Sequence, residues 1–374
     1  MSRSEQPRVV LCTDGVFPHA MGGMQRHSRL LAEHLARSGA VRLTVIHPHK
    51  APIFDPSLGI VEVPITDIDT GKFYLRELWR YSGRVAAELH RLQPDVILAQ
   101  GFTVWQDIAS FSDRLIIHPH GLEMFQMLGR KERLMGLPFR LVLRHLVRRS
   151  YAVISLGGKL TNILQGLVRG TPTRIVVLPN AVDAVAAQPL PADDHRPLRL
   201  LFVGRFAFNK GLDVLMDVAR RLEEEGRSQD FQFQLVGDGP LLAAYRAQGL
   251  PSSVLLMGRV DDAGLDELYR ACDALVLPTR FEGMPTVVLE AMVRARPIIV
   301  SNVGATAELV DGTNGYLLPP GDADALHQAL LSLEYRTPSE RMQLGLEGRR
   351  RVEERFTWAA VTDGFVRLFG EVRR

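Results

Sequence analysis

Apolar runs of strand length alternate with segments of helical periodicity along almost the whole chain, and this alternation limits the possible folds more than any other feature. In a parallel sheet, crossover helices join strands that are buried on both faces, so each strand reads as a continuous apolar run. In the first half of the chain such runs lie at 8–13, 41–46, 95–100, 114–119 and 152–156. In the second half they lie at 198–204, 231–237, 253–258, 274–278 and 297–301. The sequence therefore predicts two α/β units, each built on a doubly wound parallel sheet.

Between the two series lies a stretch without periodicity. Residues 179–197, PNAVDAVAAQPLPADDHRP, are rich in Pro, Ala and Asp, which is typical of a connection between domains. The chain has 374 residues, more than one hydrophobic core usually organises. We predict two Rossmann-like domains, an N-terminal one over 1–182 and a C-terminal one over 183–356. Because ligands bind outside the carboxyl ends of parallel strands, we expect the domains to face each other across a cleft.

The composition excludes several classes of protein. Apolar residues make up 46% and charged residues 23% of the chain, which is typical of a globular protein and not of a disordered one. Cys12 and Cys272 lie far apart within apolar runs, which argues against a disulfide framework and for a reducing compartment. The first residues lack the apolar stretch of a signal peptide, and no apolar run has the length of a membrane span. We therefore expect a cytoplasmic protein.

The charge is distributed unevenly along the chain. Residues 1–182 carry 23 Lys and Arg against 14 Asp and Glu, whereas the remaining residues carry 22 against 28. The net charge of +3 thus combines a basic half with an acidic half. A basic half of this kind suggests that the first domain meets an anionic surface or partner.

The most basic stretch is 128–150, where seven Lys and Arg are interleaved with apolar residues and accompanied by one acid, Glu132. Arg140, Arg144 and Arg148 recur every four residues, which would place them on one face of a helix. A basic amphipathic helix is typical of binding to an anionic membrane surface, here the inner face of the cytoplasmic membrane. The alternative is that the apolar face packs on the N-terminal sheet and the arginines are only hydrated.

Three short stretches that follow strands are candidates for anion or sugar binding. Gly22 and Gly23 precede a helix whose first N–H groups suit an anion, although a tight strand–helix connection would explain them equally well. Arg205 and Lys210 follow a strand of the second domain and suit a diphosphate, although loop cations are usually only hydrated. His120 also follows a strand, where a histidine is more often part of the scaffold than a catalyst.

The stretch RFEGMPTVVLEA, 280–291, places two glutamates around a predicted helix start. Pro285 suits the first turn of a helix. Glu282 would precede the helix and accept hydrogen bonds from sugar hydroxyls, while Glu290 would lie about one turn inside it. The N–H groups at this positive helix end, from 283 to 287, suit phosphate or sugar oxygens. Alone, the motif would be explained better as two hydrated glutamates on an amphipathic helix.

The motif does not stand alone, because other motifs occur with it in a fixed order. These are GGMQRH, HG after a strand, PNAVD, VGRF…KG, VGDGP, ACDALVLPT, EGMP…LEAM and NGYLLPPGD. With Glu282 and Glu290 separated by seven residues, the chain closely resembles the retaining glycosyltransferases of family 4. The resemblance covers almost the whole chain and implies the GT-B fold of two facing Rossmann-like domains. In that arrangement we expect the last helix, 357–374, to return to the N-terminal domain.

The resemblance implies a role for each matching residue. Arg205 and Lys210 resemble the pair that holds the donor diphosphate and stabilises the leaving group. Glu282 resembles the residue that holds the transferred sugar, and Glu290 the residue that binds the ribose. His120 resembles a histidine near the sugar C6 hydroxyl. With Arg205, Lys210 and Glu282, it completes the predicted catalytic set.

Further donor contacts are implied by the same comparison. Gly22 and Gly23 would lie under the diphosphate, and Arg259 and Val260 match the family's segment beside the nucleotide base. The backbone at the start of the helix would contact the sugar and the phosphates; its residues are Gly283, Met284, Pro285, Thr286 and Val287. Residues 303–310 depart from the family, which often has Gly-Gly or Gly-x-Pro before Glu308, so the role of Glu308 stays open.

The sequence thus predicts transfer of a hexose from a nucleotide diphosphate sugar to a hydroxyl of an acceptor glycan, with retention of configuration. The acceptor is expected to be lipid-linked, in cell-surface polysaccharide or glycolipid synthesis, and no nucleic-acid partner is expected. Positively charged side chains would neutralise the donor diphosphate in place of a metal ion, so we predict no metal and no cofactor. Asp67 and Asp69 have the spacing of a metal motif but precede a predicted helix away from the other candidates, so we discount them.

Three alternatives remain beside this prediction. A retaining glycoside hydrolase would need its two carboxyl groups about 5–5.5 Å apart, whereas eight helical residues span roughly 12 Å, which argues against it. A non-catalytic nucleotide-sugar-binding protein of the same fold would not need Arg205, Lys210, Glu282 and His120 together. A transferase with a soluble acceptor is the third. The choice between UDP and GDP, the sugar, the acceptor and the oligomeric state are not determined by the sequence.

Overall fold

A computed structural model of the chain describes residues 6–65, 68, 73–126, 129–186 and 195–372, and Asp67, Asp69 and Leu128 lie outside these ranges. The strands are β1 Arg8–Cys12, β2 Arg42–His47, β3 Val61–Pro64, β4 Val96–Gln100, β5 Leu115–His118, β6 Ala152–Ser155, β7 Arg174–Val177, β8 Leu198–Val203, β9 Phe231–Val236, β10 Val254–Gly258, β11 Ala274–Leu277, β12 Ile298–Ser301 and β13 Gly315–Leu318.

The helices alternate with the strands. They are α1 Gly23–Ser38, α2 Tyr74–Leu92, α3 Glu123–Gln126, α4 Arg130–Met135, α5 Leu137–Val147, α6 Gly158–Val168, α7 Leu212–Glu224, α8 Leu242–Ala247, α9 Asp262–Ala271, α10 Thr286–Met292, α11 Thr306–Leu309, α12 Ala323–Tyr335, α13 Pro338–Arg355 and α14 Trp358–Val372. None of the helices in the described ranges is long and apolar enough to cross a membrane.

The strands form two parallel sheets. The first has the order β3-β2-β1-β4-β5-β6-β7 and the second the order β10-β9-β8-β11-β12-β13. In each sheet the strand order reverses direction once, between β1 and β4 in the first and between β8 and β11 in the second. Such a reversal defines a doubly wound sheet and opens a crevice at the carboxyl ends of the two strands. The predicted fold class is therefore confirmed.

Burial explains which strands the sequence pattern could reveal. The central strands β1, β4, β11 and β12 are buried along nearly their whole length, as expected for sheets covered by helices on both faces. The edge strands β3 and β7 were not predicted, and in both of them the end residues are exposed and the middle residues only half-buried. Such short edge strands lack the continuous apolar run that marks a central strand.

The chain divides into two compact units that do not follow its linear order strictly. One unit comprises Met1–Asn180 together with Trp358–Arg374, and the other comprises Ala181–Thr357. The sequence placed these boundaries at 182/183 and 356/357. Two contacts hold both ends of the second unit together, because Val182 donates its N–H to the carbonyl of Phe356 at 2.9 Å and also forms a parallel bridge with Thr357.

The last helix belongs to the first unit, as expected for this fold. α14 packs on α1, where the Trp358 ring stacks on His34 with ring centroids 5.0 Å apart. Phe365 and Phe369 of the same helix are fully buried and add aromatic surface to the core. Burying large aromatic side chains is a major source of core stability. The first unit therefore depends on residues from both ends of the sequence.

Candidate functional site

Lys210 and Glu282 form an ion pair beyond the carboxyl ends of β8 and β11, which are neighbouring strands at the reversal of the second sheet. The Lys210 Nζ donates to Glu282 Oε1, and the two side chains are only 19% and 13% exposed. The Oγ1 atom of buried Thr279 lies 3.2 Å from the same carboxylate oxygen. The structure thus brings two of the predicted catalytic residues together and places a third side chain beside the carboxylate.

The two loops that carry this pair are fixed to each other through the backbone. Lys210 ends a single 3₁₀ turn, Phe208–Lys210, and Gly211 follows with φ of 70°. A side chain at Gly211 would overlap the carbonyl oxygen of Pro278, so only glycine allows this approach. The carbonyl of Asn209 accepts hydrogen bonds from the Thr279 hydroxyl at 2.8 Å and from the Arg280 N–H at 2.7 Å.

Arg280 is a residue of this site that the sequence did not reveal. Its guanidinium donates two hydrogen bonds to Asp213, at 2.7 and 2.6 Å, and lies 4.3 Å from the centroid of the Phe208 ring. The bidentate pair fixes the direction of the guanidinium within its plane, and the ring packed on its face fixes the orientation of that plane. Arg280 therefore holds the start of α7 and the turn before Lys210 against the loop of Glu282. Its partner lies 67 positions away in sequence, so no local pattern could have predicted the contact.

Arg205 differs from Lys210 because it is exposed, and no carboxylate in the described ranges forms an ion pair with it. Its loop rests on the VGDGP stretch after β9. The Phe206 N–H donates to the carbonyl of Asp238 at 2.9 Å, and a side chain at Gly237 or Gly239 would overlap the backbone of Gly204 or Phe206. The two glycines are therefore required for close packing against the Arg205 loop, in addition to forming a turn.

Arg259 and Val260 lie directly after β10, which pairs with β9 at the edge of the second sheet. The Arg259 Nε lies 3.2 Å from an oxygen of Asp238, but the side chain is 71% exposed. An exposed pair of this kind contributes little to stability and leaves the guanidinium accessible. The structure thus places Arg259 on the same loop, 237–240, that supports the segment of Arg205.

The helix that carries Glu290 begins at Thr286, with Pro285 as its N-cap and not at its first turn as predicted. The preceding loop is held by Gly304, whose side-chain position would overlap the carbonyls of Glu282 and Gly283. Ala305 donates its N–H to the Gly283 carbonyl at 2.9 Å. These contacts fix the backbone of 282–285 beside the ion pair.

Glu290 has a partner of its own. The buried Tyr269 hydroxyl donates to Glu290 Oε2 at 2.8 Å, and burial raises the pKa of that tyrosine well above its usual value. The tyrosine thus remains a hydrogen-bond donor at any physiological pH. Glu282 and Glu290 consequently sit in different surroundings, one facing a cation and the other a phenol. Glu308, whose role the sequence left open, pairs with Arg355 at 3.2 Å.

In the first unit, the candidates gather around the start of α1. Gly22 is its N-cap, the helix begins at Gly23, and its first turn carries no acidic residue. A side chain at Gly23 would meet no atom within 4 Å, so the space beside this helix start is open. The helix runs for 16 residues, and its positive end therefore faces an accessible volume.

His120 lies in a cluster with His27 and His118, which we call the histidine cluster. Its backbone has φ of 59°, a left-handed conformation that is uncommon for a residue other than glycine. Its Nε2 pairs with the side-chain oxygen of buried Gln100, and its ring stacks on His118 with centroids 3.9 Å apart. The ring of His27 meets both others edge-on, with centroids 5.1 Å away.

Burial keeps the rings of the histidine cluster neutral. It lowers the pKa of His27 to about 4 and the pKa values of His118 and His120 well below their usual value. At neutral pH each ring therefore offers one N–H donor and one lone pair. From the sequence, His120 is the candidate among these three, His118 is a weaker one and His27 is not predicted. His27 lies in the GGMQRH motif, and its side chain reaches the cluster because it follows Gly23 by about one helical turn.

The basic stretch 128–150 forms α4 and α5, and part of its predicted face is wrong. The Arg140 Nε donates to the Met124 carbonyl at 2.6 Å, and Arg148 donates to the carbonyls of Leu167 and Arg169 at 3.0 Å each. These two arginines tie α5 to its neighbours and do not form, with Arg144, the basic face predicted to bind an anionic membrane surface. The exposed cations of the described part are Lys131, Arg133, Arg144 and Arg149.

Apart from half-buried Phe139, the large apolar residues that the structure describes in this stretch divide into two groups. One group packs in the core, as the alternative reading of the stretch expected; its members are Val142, Leu143, Leu146 and Val147. The second group is exposed, and we call it the α4–α5 face. Its members are Leu134 (71% exposed), Met135 (66%), Leu137 (46%) and Leu141 (60%). Four large apolar side chains in one exposed region, bordered by cations, are unusual on the surface of a monomeric protein.

Two segments of the chain match known domain families. Residues 21–185 match Glycosyltransferase Family 4, and residues 197–334 match Glycosyl transferases group 1. The O-antigen chain mannosyltransferase C of Escherichia coli is 33% identical over 177 residues, which are 45% of this chain and 45% of that protein. The chain spans between 33% and 48% of the length of the first three curated relatives that it matches.

Solved structures resemble the whole chain. Sucrose-phosphate synthase from Thermosynechococcus elongatus superposes with a TM-score of 0.81 at 22% identity, covering 98% of this chain and 99% of that one. Anabaena HepE in complex with UDP and glucose superposes with a TM-score of 0.70 at 18% identity, covering 97% and 99%. At these identities the likeness concerns the fold, and it confirms the predicted GT-B fold.

Proposed function

The chain is a GT-B protein of the family 4 and group 1 glycosyltransferase type, and on this premise we propose that it transfers a hexose from a nucleotide diphosphate sugar with retention of configuration. The observation that carries the proposal is the shielded Lys210–Glu282 pair beyond the carboxyl ends of β8 and β11. Parallel sheets bind their ligands at such a reversal. UDP and glucose bound to the structural neighbour HepE support a nucleotide sugar as the donor.

The proposed reaction is a same-face displacement at the anomeric carbon. The bond between that carbon and the diphosphate oxygen breaks, the acceptor oxygen bonds to the same face, and the acceptor proton passes to the departing diphosphate. Negative charge develops on the leaving group, so cations held in place beforehand lower the barrier. Lys210 is held by Glu282, whereas exposed Arg205 supplies a second positive charge from a loop fixed by glycines.

The other candidate residues take supporting positions in this proposal. Glu282 accepts hydrogen bonds from hydroxyls of the transferred sugar, and Glu290, oriented by Tyr269, accepts them from the ribose. His120 contacts the sugar C6 hydroxyl, and its neutral ring can donate or accept without adding charge. The backbone of Gly283 to Val287 binds the sugar and phosphates, Gly22 and Gly23 bind the diphosphate, and Arg259 with Val260 contacts the base. No step needs a metal ion.

We propose a cell-surface glycan or its lipid-linked precursor as the acceptor. The name of the Escherichia coli relative, an O-antigen chain mannosyltransferase, supports this class. The exposed α4–α5 face with its neighbouring cations supports a site of action at an anionic membrane surface, because apolar side chains and Lys or Arg together favour such surfaces. A soluble acceptor is the alternative, and it would leave the α4–α5 face without a use.

A donor screen tests the proposal directly. UDP- and GDP-sugars are added one at a time, and the melting temperature is measured, because a ligand that binds only the folded state raises it by mass action. The donor that gives the largest rise is then incubated with glycan or lipid-linked acceptors, and product and anomeric configuration are read by NMR. A protein that binds a donor but transfers to none of the acceptors would favour the non-catalytic alternative. Inverted configuration would overturn the retaining mechanism.

A further inference from the structure

The histidine cluster contains buried polar atoms that no group in the described part of the chain satisfies. His27 Nε2 and both ring nitrogens of His118 are buried and have no hydrogen-bond partner in the described ranges. An unsatisfied buried polar group costs about 1–3 kcal/mol, and buried polar atoms in native proteins usually have a partner. Three such nitrogens in one place indicate that something outside the protein chain occupies the space between the rings.

The geometry of the cluster fits a metal ion. One nitrogen from each of the three rings lies within 4.8 Å of the others. In a tetrahedral zinc site with Zn–N bonds of about 2.1 Å, ligand nitrogens are about 3.4 Å apart. The difference is small enough for rotation of the rings about their second side-chain torsion, which is broad in histidine. The rings come from α1, β5 and the turn after β5, and the stacked rings of His118 and His120 must turn out of parallel for their in-plane lone pairs to converge on one ion.

Gln100 completes the arrangement expected around a metal-binding histidine. Ligating histidines usually donate their other ring N–H to an oxygen, which fixes the ring and its tautomer. Gln100, fully buried at the end of β4, places its side-chain oxygen against His120 Nε2. When Nε2 carries the hydrogen, the lone pair belongs to Nδ1. Gln100 is therefore a positioning residue, and the cluster offers three neutral nitrogen ligands.

From these contacts we propose that His27, His118 and His120 bind one zinc ion, or another divalent ion of similar affinity for imidazole, with a water in the fourth position. Imidazole ligands suit zinc and neighbouring transition metals and do not suit Mg²⁺ or Ca²⁺. The ion is not a participant in transfer. Where the proposed function holds, zinc withdraws His120 from the sugar and inhibits transfer, so the site regulates the enzyme through metal availability.

Binding is measured without reference to activity. The metal-stripped full chain is titrated with ZnCl₂ in a calorimeter, and we expect one ion per chain. His27→Gln and His118→Gln each remove a ligand, and each should weaken affinity at least about 100-fold, whereas Gln100→Ala, which removes only the positioning contact, should weaken it about 10–100-fold. His19→Gln, at an exposed histidine outside the cluster, is the matched control and should bind zinc as the wild type does.

Two further measurements on the unaltered protein guard against variants that fail to fold. Zinc should raise the melting temperature, and EDTA should reverse the rise. Cobalt in place of zinc should give the intense visible absorption of a four-coordinate site. Unchanged affinity in both cluster variants, or a weak six-coordinate cobalt spectrum, would show that the cluster holds only water and overturn the site.

Inhibition is tested separately from binding. With the best donor, turnover is compared with and without zinc, and inhibition should follow the calorimetric binding curve. A protein that binds zinc stoichiometrically but transfers no sugar even when it is metal-free would overturn the proposed function and leave the metal site intact. Transfer that is unaffected at saturating zinc would leave the site intact but overturn its regulatory role.

Discussion

Lys210 and Glu282 are mutually dependent, since each side chain is largely shielded and each neutralises the other. Arg205 has no such partner in the described ranges and is exposed. Both cations are proposed to act on the same leaving group, yet their surroundings differ. Removing one partner of a shielded ion pair leaves the other charge uncompensated, which destabilises the fold, whereas removing an exposed unpaired charge does not. The two cations can therefore be separated by experiment.

We expect Arg205→Ala and Lys210→Ala each to reduce turnover about 10²–10³-fold, or about 2.7–4 kcal/mol, by loss of stabilisation of the leaving-group charge. Urea unfolding should show reduced stability for Lys210→Ala and unchanged stability for Arg205→Ala. A folded double variant with near-wild-type turnover would contradict the assignment of both residues.

The two glutamates should have separable effects. Glu282→Gln should impair sugar transfer and leave the affinity for the free nucleotide diphosphate largely intact, because this carboxylate is assigned to the sugar. Glu290→Ala should weaken binding of the nucleotide itself, since the ribose loses its acceptor. Calorimetry with the free nucleotide diphosphate distinguishes them, with Glu224→Ala, at an exposed glutamate at the end of α7, as a control for loss of an acid elsewhere. The opposite pattern would exchange the two roles.

The candidate residues of the site were largely accessible from the sequence, but their contacts were not. Lys210 and Glu282 lie in recognisable motifs, yet their pairing depends on β8 and β11 being neighbours in the sheet. In sequence, the start of β11 lies 71 positions after the end of β8. Arg280 lies inside the motif and was overlooked, because its partners Asp213 and Phe208 come from another loop. His27 was overlooked because only the folded helix aims it at His118 and His120.

At the scale of elements, the central strands could be predicted because burial on both faces gives a continuous apolar run. The edge strands β3 and β7 could not, since their ends are exposed and they pair on one side only. In α5, helical spacing indicated an apolar face, and its partial burial agrees with the alternative that we considered beside membrane binding. The same spacing assigned Arg140 and Arg148 to a basic face for an anionic membrane, although carbonyl groups from neighbouring segments bind both guanidinium groups.

The end of β2 provides a pH-dependent contact between elements. His47 is buried and lies 3.0 Å from Glu62 of β3, and burial lowers its pKa below the value of about 6.5 in an unfolded chain, although the hydrogen bond to Glu62 opposes this shift. Below pH 6.5 the unfolded chain therefore binds more protons at this site. The contribution of His47 to stability is thus fully present above about pH 6.5 and declines as the pH falls.

We expect the free energy of unfolding of the wild type to fall between pH 7.5 and 5.5. His47→Gln should show a shallower decline, by up to about 1.4 kcal/mol per pH unit below 6.5. Urea unfolding at several pH values measures both slopes. Ser112→Ala, at an exposed position without a titratable group, serves as the control and should retain the wild-type slope. Identical slopes for wild type and His47→Gln would refute the assignment.

For the whole molecule, we expect flotation with anionic vesicles at low salt and less flotation with neutral ones. Each cation near an anionic surface adds about 1 kcal/mol, and salt screens this attraction. Lys131→Glu with Arg144→Glu should abolish flotation, and Leu137→Ser with Leu141→Ser should weaken it. Arg42→Glu with Arg91→Glu changes the charge equally elsewhere on the unit and should float normally. A wild-type protein that never floats would favour a soluble acceptor.

Transfer should survive EDTA, because cations and backbone N–H groups are proposed to neutralise the diphosphate. If zinc occupies the histidine cluster, EDTA should even raise turnover. Turnover is measured with EDTA, with Mg²⁺ and with Mn²⁺. The same assays on Arg205→Ala show whether a metal ion can replace the missing charge. Complete loss of activity in EDTA, restored only by Mg²⁺ or Mn²⁺, would show that the proposed charge stabilisation is incomplete.

The return of α14 to the first unit has a consequence for the nascent chain. Trp358, Phe365 and Phe369 are translated after the second unit, so the unit that emerges first from the ribosome lacks part of its core until α14 has been synthesised. The middle segment, Ala181–Thr357, is contiguous and can fold as soon as it has emerged, in keeping with the folding of domains as units. The order of folding then runs against the order of synthesis. A transcript truncated before Trp358 would damage the N-terminal unit, the one whose coding sequence it leaves almost complete.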